Sequence, residues 1–360
     1  MNRFSKQAYI VMLVCFSTIT IFGKANPTDS TDLTPGSQNK RFPTASKLLD
    51  KYAETQDKLV PSFISKLEVS AKYEGVNRGR PNMKRGEVYT RNRRIELRSD
   101  GERNYSCHQM WGKWPGFNSG EKYPTTSYSL WDGETSYQYG YYPLARVSKN
   151  GTATLSCMRP PKPNGKWQGM PASTLRGYFP GVNERIDSEL RQARTISVGP
   201  RREDINGSKC YVINAKTKKC EYKIWIDPEH GYNISKAIVK RGWASWSRQE
   251  LYTKRPPDGS SETEVSNVRF KKINDIWLPV EADYRREHKY VNGDYEKSFV
   301  KIKKTEFVLN PDHDTLGSFE PNFIRNGARV RISGIRDVSY TWQNGKIVDE
   351  NGRVIMDLKT

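Results

Sequence analysis

Apolar residues in this chain fall at alternate positions far more often than at every third or fourth. From Lys209 to Arg241 three β-branched and aromatic runs follow one another: Cys210–Asn214, Glu221–Asp227 and Ser235–Arg241. In the middle run Tyr222, Ile224 and Ile226 share one face, and Glu221 and Lys223 share the other. That period of two is the mark of a half-buried antiparallel strand. The polar stretch Lys216–Lys219 and the sequence Asp227-Pro228-Glu229-His230-Gly231 supply the reversals, so two successive hairpins are predicted.

The alternation recurs on both sides of this segment. Leu67, Val69, Ala71 and Tyr73 oppose Lys66, Glu68, Ser70 and Lys72; Ile95 and Leu97 flank Glu96, and Ser99-Asp100-Gly101 turns the chain into Asn104–Trp111. Asp132-Gly133, between Ser127–Trp131 and Thr135–Tyr142, is a strong hairpin signal, with Tyr137, Tyr139 and Tyr141 on one face. Ser247–Arg255, Ser261–Lys271, Ile276–Tyr284 and Tyr295–Val308 continue the meander, and Asn310-Pro311 ends it. Helical spacing is clear once, at Ala45, Leu48, Leu49, Tyr52, Ala53 and Gln56, opened by Thr44 or Ser46 and stopped by Pro61. A lesser helix carries Ile186 and Leu190 behind Asn183. Residues 143–182, centred on MRPPKPNGKWQGMP, break the alternation and predict a long irregular insertion. The pattern as a whole predicts a mainly β (α+β) chain of about eleven antiparallel strands.

Composition agrees with a sheet wetted on one face. Only 35% of residues are hydrophobic and the mean hydropathy is −0.83, low for helices packed on both faces of a sheet. Twenty Tyr and nine Trp supply large amphipathic contacts instead. Arg3 and Lys6, the apolar run Ala8–Phe22 and the small residues of Gly23-Lys24-Ala25 read as a cleaved signal peptide over residues 1–25, with an uncleaved anchor as the alternative. Export to the periplasm or cell envelope is the expectation. Residues 26–43 follow as a polar, disordered leader. Residues 311–360 read as a C-terminal β-hairpin extension, with turns at Asn344-Gly345 and Asn351-Gly352.

Loss of Cys15 with the leader leaves four cysteines, an even count that predicts two disulfides in an exported chain. Cys210 and Cys220 lie symmetrically about Ala215 and form the first pair; Cys107 with Cys157 forms the second. Reduced, buried thiols are the alternative.

Chemistry-bearing motifs are missing from the sequence. It has no G-x-S-x-G, H-E-x-x-H or C-x-x-C and no phosphate-cradling glycine loop. His108, His230, His288 and His313 are the four histidines. Asp312-His313-Asp314 fits turn capping better than a metal, because adjacent loop residues rarely converge on one ion. His230 and His288 are expected at the surface. No catalytic residue, metal or cofactor is expected, and the chain reads as a non-enzyme. Removal of Arg3, Lys6 and Lys24 lowers the net charge from +20 to about +17. Basic patches at Arg91–Arg94, Arg201-Arg202 and Lys301–Lys304 fit a solvated face, or contact with an anionic membrane surface, a membrane-bound partner or envelope polymers. An exported chain without a recognition motif is not expected to bind nucleic acid.

The helix ASKLLDKYAE leading into SKLEVSAKYEG, the strand-turn RNRRIELRSDG, the hairpin SLWDGETSYQY and the segment KCEYKIWIDPEHGYNISKAIV come in a telling order. Over residues 44–310 the chain resembles the LolA-like family of bacterial envelope proteins, which includes lipoprotein-sorting carriers. The resemblance implies an unclosed antiparallel β-barrel, a half-barrel whose concave apolar face is covered by helices and holds acyl chains. Leu48, Leu49 and Tyr52 would form the lid. Leu67, Val69, Ala71, Ile95, Leu97, Ile224, Ile226, Leu278 and Val280 would line the groove, and residues near 170–193 would close its other side. The implied function is non-catalytic carriage of a lipid or of a lipoprotein's acyl chains. Each methylene hidden from water is worth ~0.8 kcal/mol, so a fourteen-carbon chain needs roughly 11 kcal/mol of shielding. The alternative is an envelope scaffold whose groove is filled by its own side chains.

Overall fold

Helix α1 (Ala45–Lys58) starts where the Thr44 hydroxyl accepts a hydrogen bond from the Lys47 N–H at 3.3 Å. Its stripe of Leu48, Leu49, Tyr52 and Gln56 is buried and the rest of its surface is polar, the division an amphipathic helix needs to lie on a sheet. The computed structural model describes residues 42–59, 62–75, 86–114, 117–121, 124–142, 150–156, 171–179, 184–242, 259–290, 293–335 and 338–357. All belong to a unit running from Phe42 to Thr360. The signal peptide, most of the leader, Asn183 and the strand expected at Ser247–Arg255 lie outside the described residues.

Among the described residues nineteen strands form, more than the eleven expected. After α1 come β1 (Phe63–Gly75), β2 (Val88–Ser99), β3 (Asn104–Trp114), β4 (Phe117–Ser119), β5 (Thr125–Trp131), β6 (Ser136–Tyr141) and β7 (Thr152–Ser156). The single turn α2 (Pro171–Thr174) and the short helix α3 (Ile186–Arg191) follow. Then come β8 (Thr195–Val198), β9 (Glu203–Ile205), β10 (Ser208–Lys216), β11 (Cys220–Asp227), β12 (Asn233–Gly242), β13 (Gly259–Ile273), β14 (Ile276–Tyr290) and β15 (Tyr295–Leu309). The last four are β16 (Arg329–Ile332), β17 (Tyr340–Gln343), β18 (Lys346–Val348) and β19 (Val354–Asp357). The excess over eleven comes from short strands and from the C-terminal fifty residues. β7 forms inside the stretch expected to be irregular, because Ala153 and Leu155 alternate with polar neighbours and are buried.

Pairing makes one large, open sheet. β10 to β15 run as a meander, β15 pairs with β1, and β1, β2, β3, β5, β6 and β7 continue in order. β7 then pairs with β16 in the one parallel contact among the described strands, and β17, β18 and β19 complete the far end. β8 and β9 lie along the outer edge of β10.

Two large hydrophobic cores sit on this sheet. The first gathers α1, α3 and the inward residues of β1, β2 and β10 to β15. The second gathers Tyr105, Leu130, Tyr137, Tyr139, Leu155 and the tail residues Phe319, Ile324, Val330, Trp342 and Ile347. Tyr137 and Tyr139 therefore belong to a core of their own rather than beneath α1, with the Tyr139 ring tilted against Tyr128, which stacks on Phe323.

The expected disulfides do not form. Cys107, Cys210 and Cys220 are buried free thiols, and Cys157 lies outside the described residues. The hairpin turns at Lys218 and Lys219, not at Ala215: Lys216 faces Glu221 and Tyr211 faces Ile226. Cys210 is consequently far along the ladder from Cys220. The two also point to opposite faces, Cys220 into the first core and Cys210 into a small cluster with Val212 and Trp225. No strand pairing in this register brings their sulfurs together.

Candidate functional site

Strand alternation decides what lies beneath α1. Leu67, Val69 and Ala71 of β1, Ile95 and Leu97 of β2, and Ile224 and Ile226 of β11 converge in one core with Leu48, Leu49 and Tyr52. Leu278 is also buried, at the end of the covered face near Leu97, while Val280 is half-buried and lies outside that core. Phe179, Ile186 and Leu190 close the side next to α3.

Polar bonds fasten α1 at its C-terminal half. Gln56, itself buried, donates to Asn233 Oδ1 at 2.8 Å, and the Thr55 hydroxyl donates to the Gly231 carbonyl at 2.6 Å. Gly231 lies in the β11–β12 turn and Asn233 opens β12; at the start of that turn Asp227 accepts from the backbone N–H groups of Glu229 and His230 and from the Ser235 hydroxyl. Arg185 joins α1 to α3: its guanidinium donates to Asp57 at 2.6 Å and, with both prongs, to the buried Asp187 at 2.5 and 3.0 Å. Arg191 reaches Asp50 at 2.7 Å.

Beyond the end of α1 the packing leaves a cavity of about 30 Å3. Leu59, Phe63, Leu67, Leu97, Leu278 and Phe307 give it an apolar wall, and Gln56 and Ser65 add two polar groups. Two cations complete the lining, Arg176 from the turn after α2 and Lys304 from β15. Among the described residues no Asp or Glu lines the cavity. The Arg176 guanidinium lies 5.4 Å from the Phe63 ring centre and the Lys304 ammonium 4.8 Å from that of Phe307. Burial, with the Arg176 charge added, pushes the Lys304 amine down to about 7. Burial also pushes the Arg176 guanidinium down, with Arg185 acting in the same direction. Nearby, the Tyr52 hydroxyl is buried with no hydrogen-bond partner among the described residues.

Lys304 escaped the sequence reading, which placed it in a surface patch with Lys301 and Lys303. Those two are exposed, but Lys304 keeps phase with Val300 and Ile302, which are core. That phase was the available signal. A bulge follows: Lys66 faces Glu306 and Leu67 faces Lys304, so Thr305 is the extra residue and Phe307 returns to the covered face.

Other titratable clusters resolve into structure. His230 Nδ1 lies 2.7 Å from Asp227 Oδ2, and the Ser208 hydroxyl approaches the same nitrogen at 3.4 Å. A hydrolytic triad needs acid and nucleophile on opposite ring nitrogens, so this trio is not one. His288 is buried and His230 half-buried, where their polar surroundings predict surface positions. His313 is buried against Phe319 with Nε2 2.9 Å from the Ser99 carbonyl; Asp312 caps Thr315, and Asp314 pairs with Arg103 at 2.8 Å. His108 is held down to about 4, chiefly by burial and further by Arg93. Burial pushes the Cys107 thiol up to about 11, the opposite of nucleophilic activation. Among the described residues no three His, Cys, Asp or Glu side chains are placed to hold a metal.

No protein-family model matches the chain, and no curated protein matches it. Among solved structures it is similar to a DUF1329 family protein from Desulfovibrio piger, at 14% identity and a TM-score of 0.37, over 78% of this chain and 98% of that one. It is also similar to the MucA/MucB complex of Pseudomonas aeruginosa, at 10% identity and a TM-score of 0.23, over 72% and 93% of the two chains. At these scores neither likeness bears on function.

Proposed function

We propose that this chain is an exported envelope protein with a LolA-like open half-barrel, which binds or carries a lipid or a lipoprotein's acyl chains and performs no catalysis. The observation that carries the reading is the apolar sheet face roofed by α1, with a small, mostly apolar-walled cavity that also holds two cations left at the helix end. A roof held by side-chain bonds can lift as a unit, whereas a strand of the sheet cannot leave without breaking a ladder. Sites that enclose small molecules usually measure about 300–1,000 Å3. The cavity of about 30 Å3 is the closed state, and displacement of α1 would expose Leu67, Ile95 and Ile224 to a chain. Envelope location rests on the leader sequence.

Protein prepared without detergent from an envelope fraction tests this. Solvent extraction and mass spectrometry should recover lipid in near-stoichiometric amount, and delipidated protein should brighten the neutral fluorophore N-phenyl-1-naphthylamine. A lipid-free extract together with an unchanged fluorophore would remove the reading.

The small cavity also favours a second reading, an envelope scaffold whose covered face is filled by its own side chains. That protein would fail both assays and keep α1 as slow in hydrogen exchange as the sheet.

A further inference from the structure

The two cations at the end of α1 touch aromatic rings but face no counter-ion among the described residues. Arg185, only a few residues from Arg176 in the chain, is paired twice with carboxylates. Among the described residues neither Arg176 nor Lys304 has an ion-pair partner, and no carboxylate faces them from α1, β1, β2, β14 or the α2 turn. The groups those elements present at the cavity are Gln56, Ser65 and apolar side chains, and the Tyr52 and Tyr178 hydroxyls and the Arg185 guanidinium act on Arg176 from beyond its wall. The flanking segments 60–61, 157–170 and 180–183 contain no Asp or Glu in sequence. Two like charges set in an apolar wall raise the energy of the empty site twice, by desolvation and by mutual repulsion. A cation–π contact is worth roughly 0.5–2 kcal/mol and does not replace a counter-ion.

An oxyanion would remove both penalties at once. A guanidinium offers parallel N–H donors that match two oxygens of a carboxylate or phosphate, and an ammonium supplies a point charge beside them. The cavity of about 30 Å3 exceeds the roughly 10–15 Å3 that one water needs. It can take a headgroup but not a chain. Leu67, which faces Lys304 across the β1–β15 pair, lines both this cavity and the first core, where Val69, Ala71 and Ile95 continue beside Leu48, Leu49 and Tyr52 of α1, so a chain attached to that headgroup would run under α1.

Resting on the lipid-binding reading above, we propose that the ligand is a single-chain amphiphile ending in an oxyanion, its headgroup held by Arg176 and Lys304 and its chain laid from Leu67 along Val69, Ala71 and Ile95. Headgroup first, roof second: the anion seats at the helix end and the chain then displaces α1. Because the empty site holds the Lys304 amine near neutrality at about 7, binding takes up a proton above that pH. Affinity for the anion then falls as pH rises.

Delipidated full-length mature protein is passed over gel filtration with radiolabelled palmitate, hexadecyl phosphate, hexadecanol or orthophosphate, at pH 6.5 and pH 9. Palmitate or hexadecyl phosphate should be retained at least tenfold more strongly than hexadecanol at pH 6.5, and orthophosphate not at all. Which of the two anions leads identifies the headgroup as carboxylate or phosphate. Lys304→Met and Arg176→Met should each bring retention of palmitate or hexadecyl phosphate down to that of hexadecanol on the same variant. Lys304→Arg, which keeps its charge at pH 9, should keep the preference there while the wild type loses part of it. Circular dichroism melts confirm that each variant is folded, and Lys304→Arg carries the test where Arg176→Met is not. Equal retention of palmitate and hexadecanol, or variants that change nothing, would overturn the headgroup assignment and leave lipid binding standing. Retention of orthophosphate alone would overturn the need for a chain. Retention of none of the four would overturn both readings.

Discussion

Lys304 is the residue on which fold and function pull in opposite directions. Its amine is lowered to about 7 in the folded chain, against an ordinary lysine value near 10.5. Between those two values the unfolded chain binds more protons, so stability rises with pH from about 7 to about 10.5 and is flat below 7. Lys304→Met should abolish that rise and increase the melting temperature at neutral pH, by about 2–4 °C for each kcal/mol of desolvation relieved. Thermal melts across pH 6–10 check it; a destabilised variant would mean the amine has a partner when the site is empty. The cysteines give a second test at this scale. Intact mass after alkylation in denaturant, without reductant, should show every described cysteine labelled. Alternation in the sequence put Leu67, Val69 and Ala71 on one face of their strand, and likewise Ile95 with Leu97 and Ile224 with Ile226, because period two is a local property; that the three sets share one core is what pairing across strands adds. It did not locate Lys304, since charge was read as surface, and it misplaced Cys210 by centring the hairpin on Ala215.

Among the elements, α1 and α3 are joined by side chains rather than by ladder bonds, and Arg185 is the strongest of these ties. Arg185→Ala leaves Asp187 buried without its partner, a change that costs on the order of 3 kcal/mol. The loss should appear first as faster hydrogen exchange in α1 and α3, with the sheet unaffected. Uniform acceleration through all strands would show instead that the roof and sheet open together. The sequence defined α1 well, because caps, period and a following Pro agree. It did not predict β7, since five residues amid a Pro-rich stretch carry little signal alone; their burial comes from β6 on one side and β16 on the other.

Over the whole molecule, the C-terminal residues complete a core. Phe319, Ile324, Val330, Trp342 and Ile347 cover Tyr105, Tyr137, Tyr139 and Leu155. A chain ending at Asn310 would expose those four and the free edge of β7, so it should aggregate or bind a hydrophobic dye strongly, while the first core keeps most of its residues. A soluble, dye-negative truncation would contradict the second core. Such long-range partnerships were not legible in the sequence: the parallel pairing of β7 with β16 and the antiparallel pairing of β1 with β15 depend on segments that carry no mark of one another.

The β1–β15 pairing has a consequence for how the chain is made. Phe63 emerges early in synthesis, yet its partner Leu309 is the last residue of β15. At about 5–20 residues per second, the first strand waits on the order of 10–50 seconds with a bare edge and an apolar face. Contacts of such separation also make the closing step slow in its own right. The nascent polypeptide therefore spends its youth as a client for holding chaperones, and its yield should respond to their supply more than to any single residue of the finished molecule.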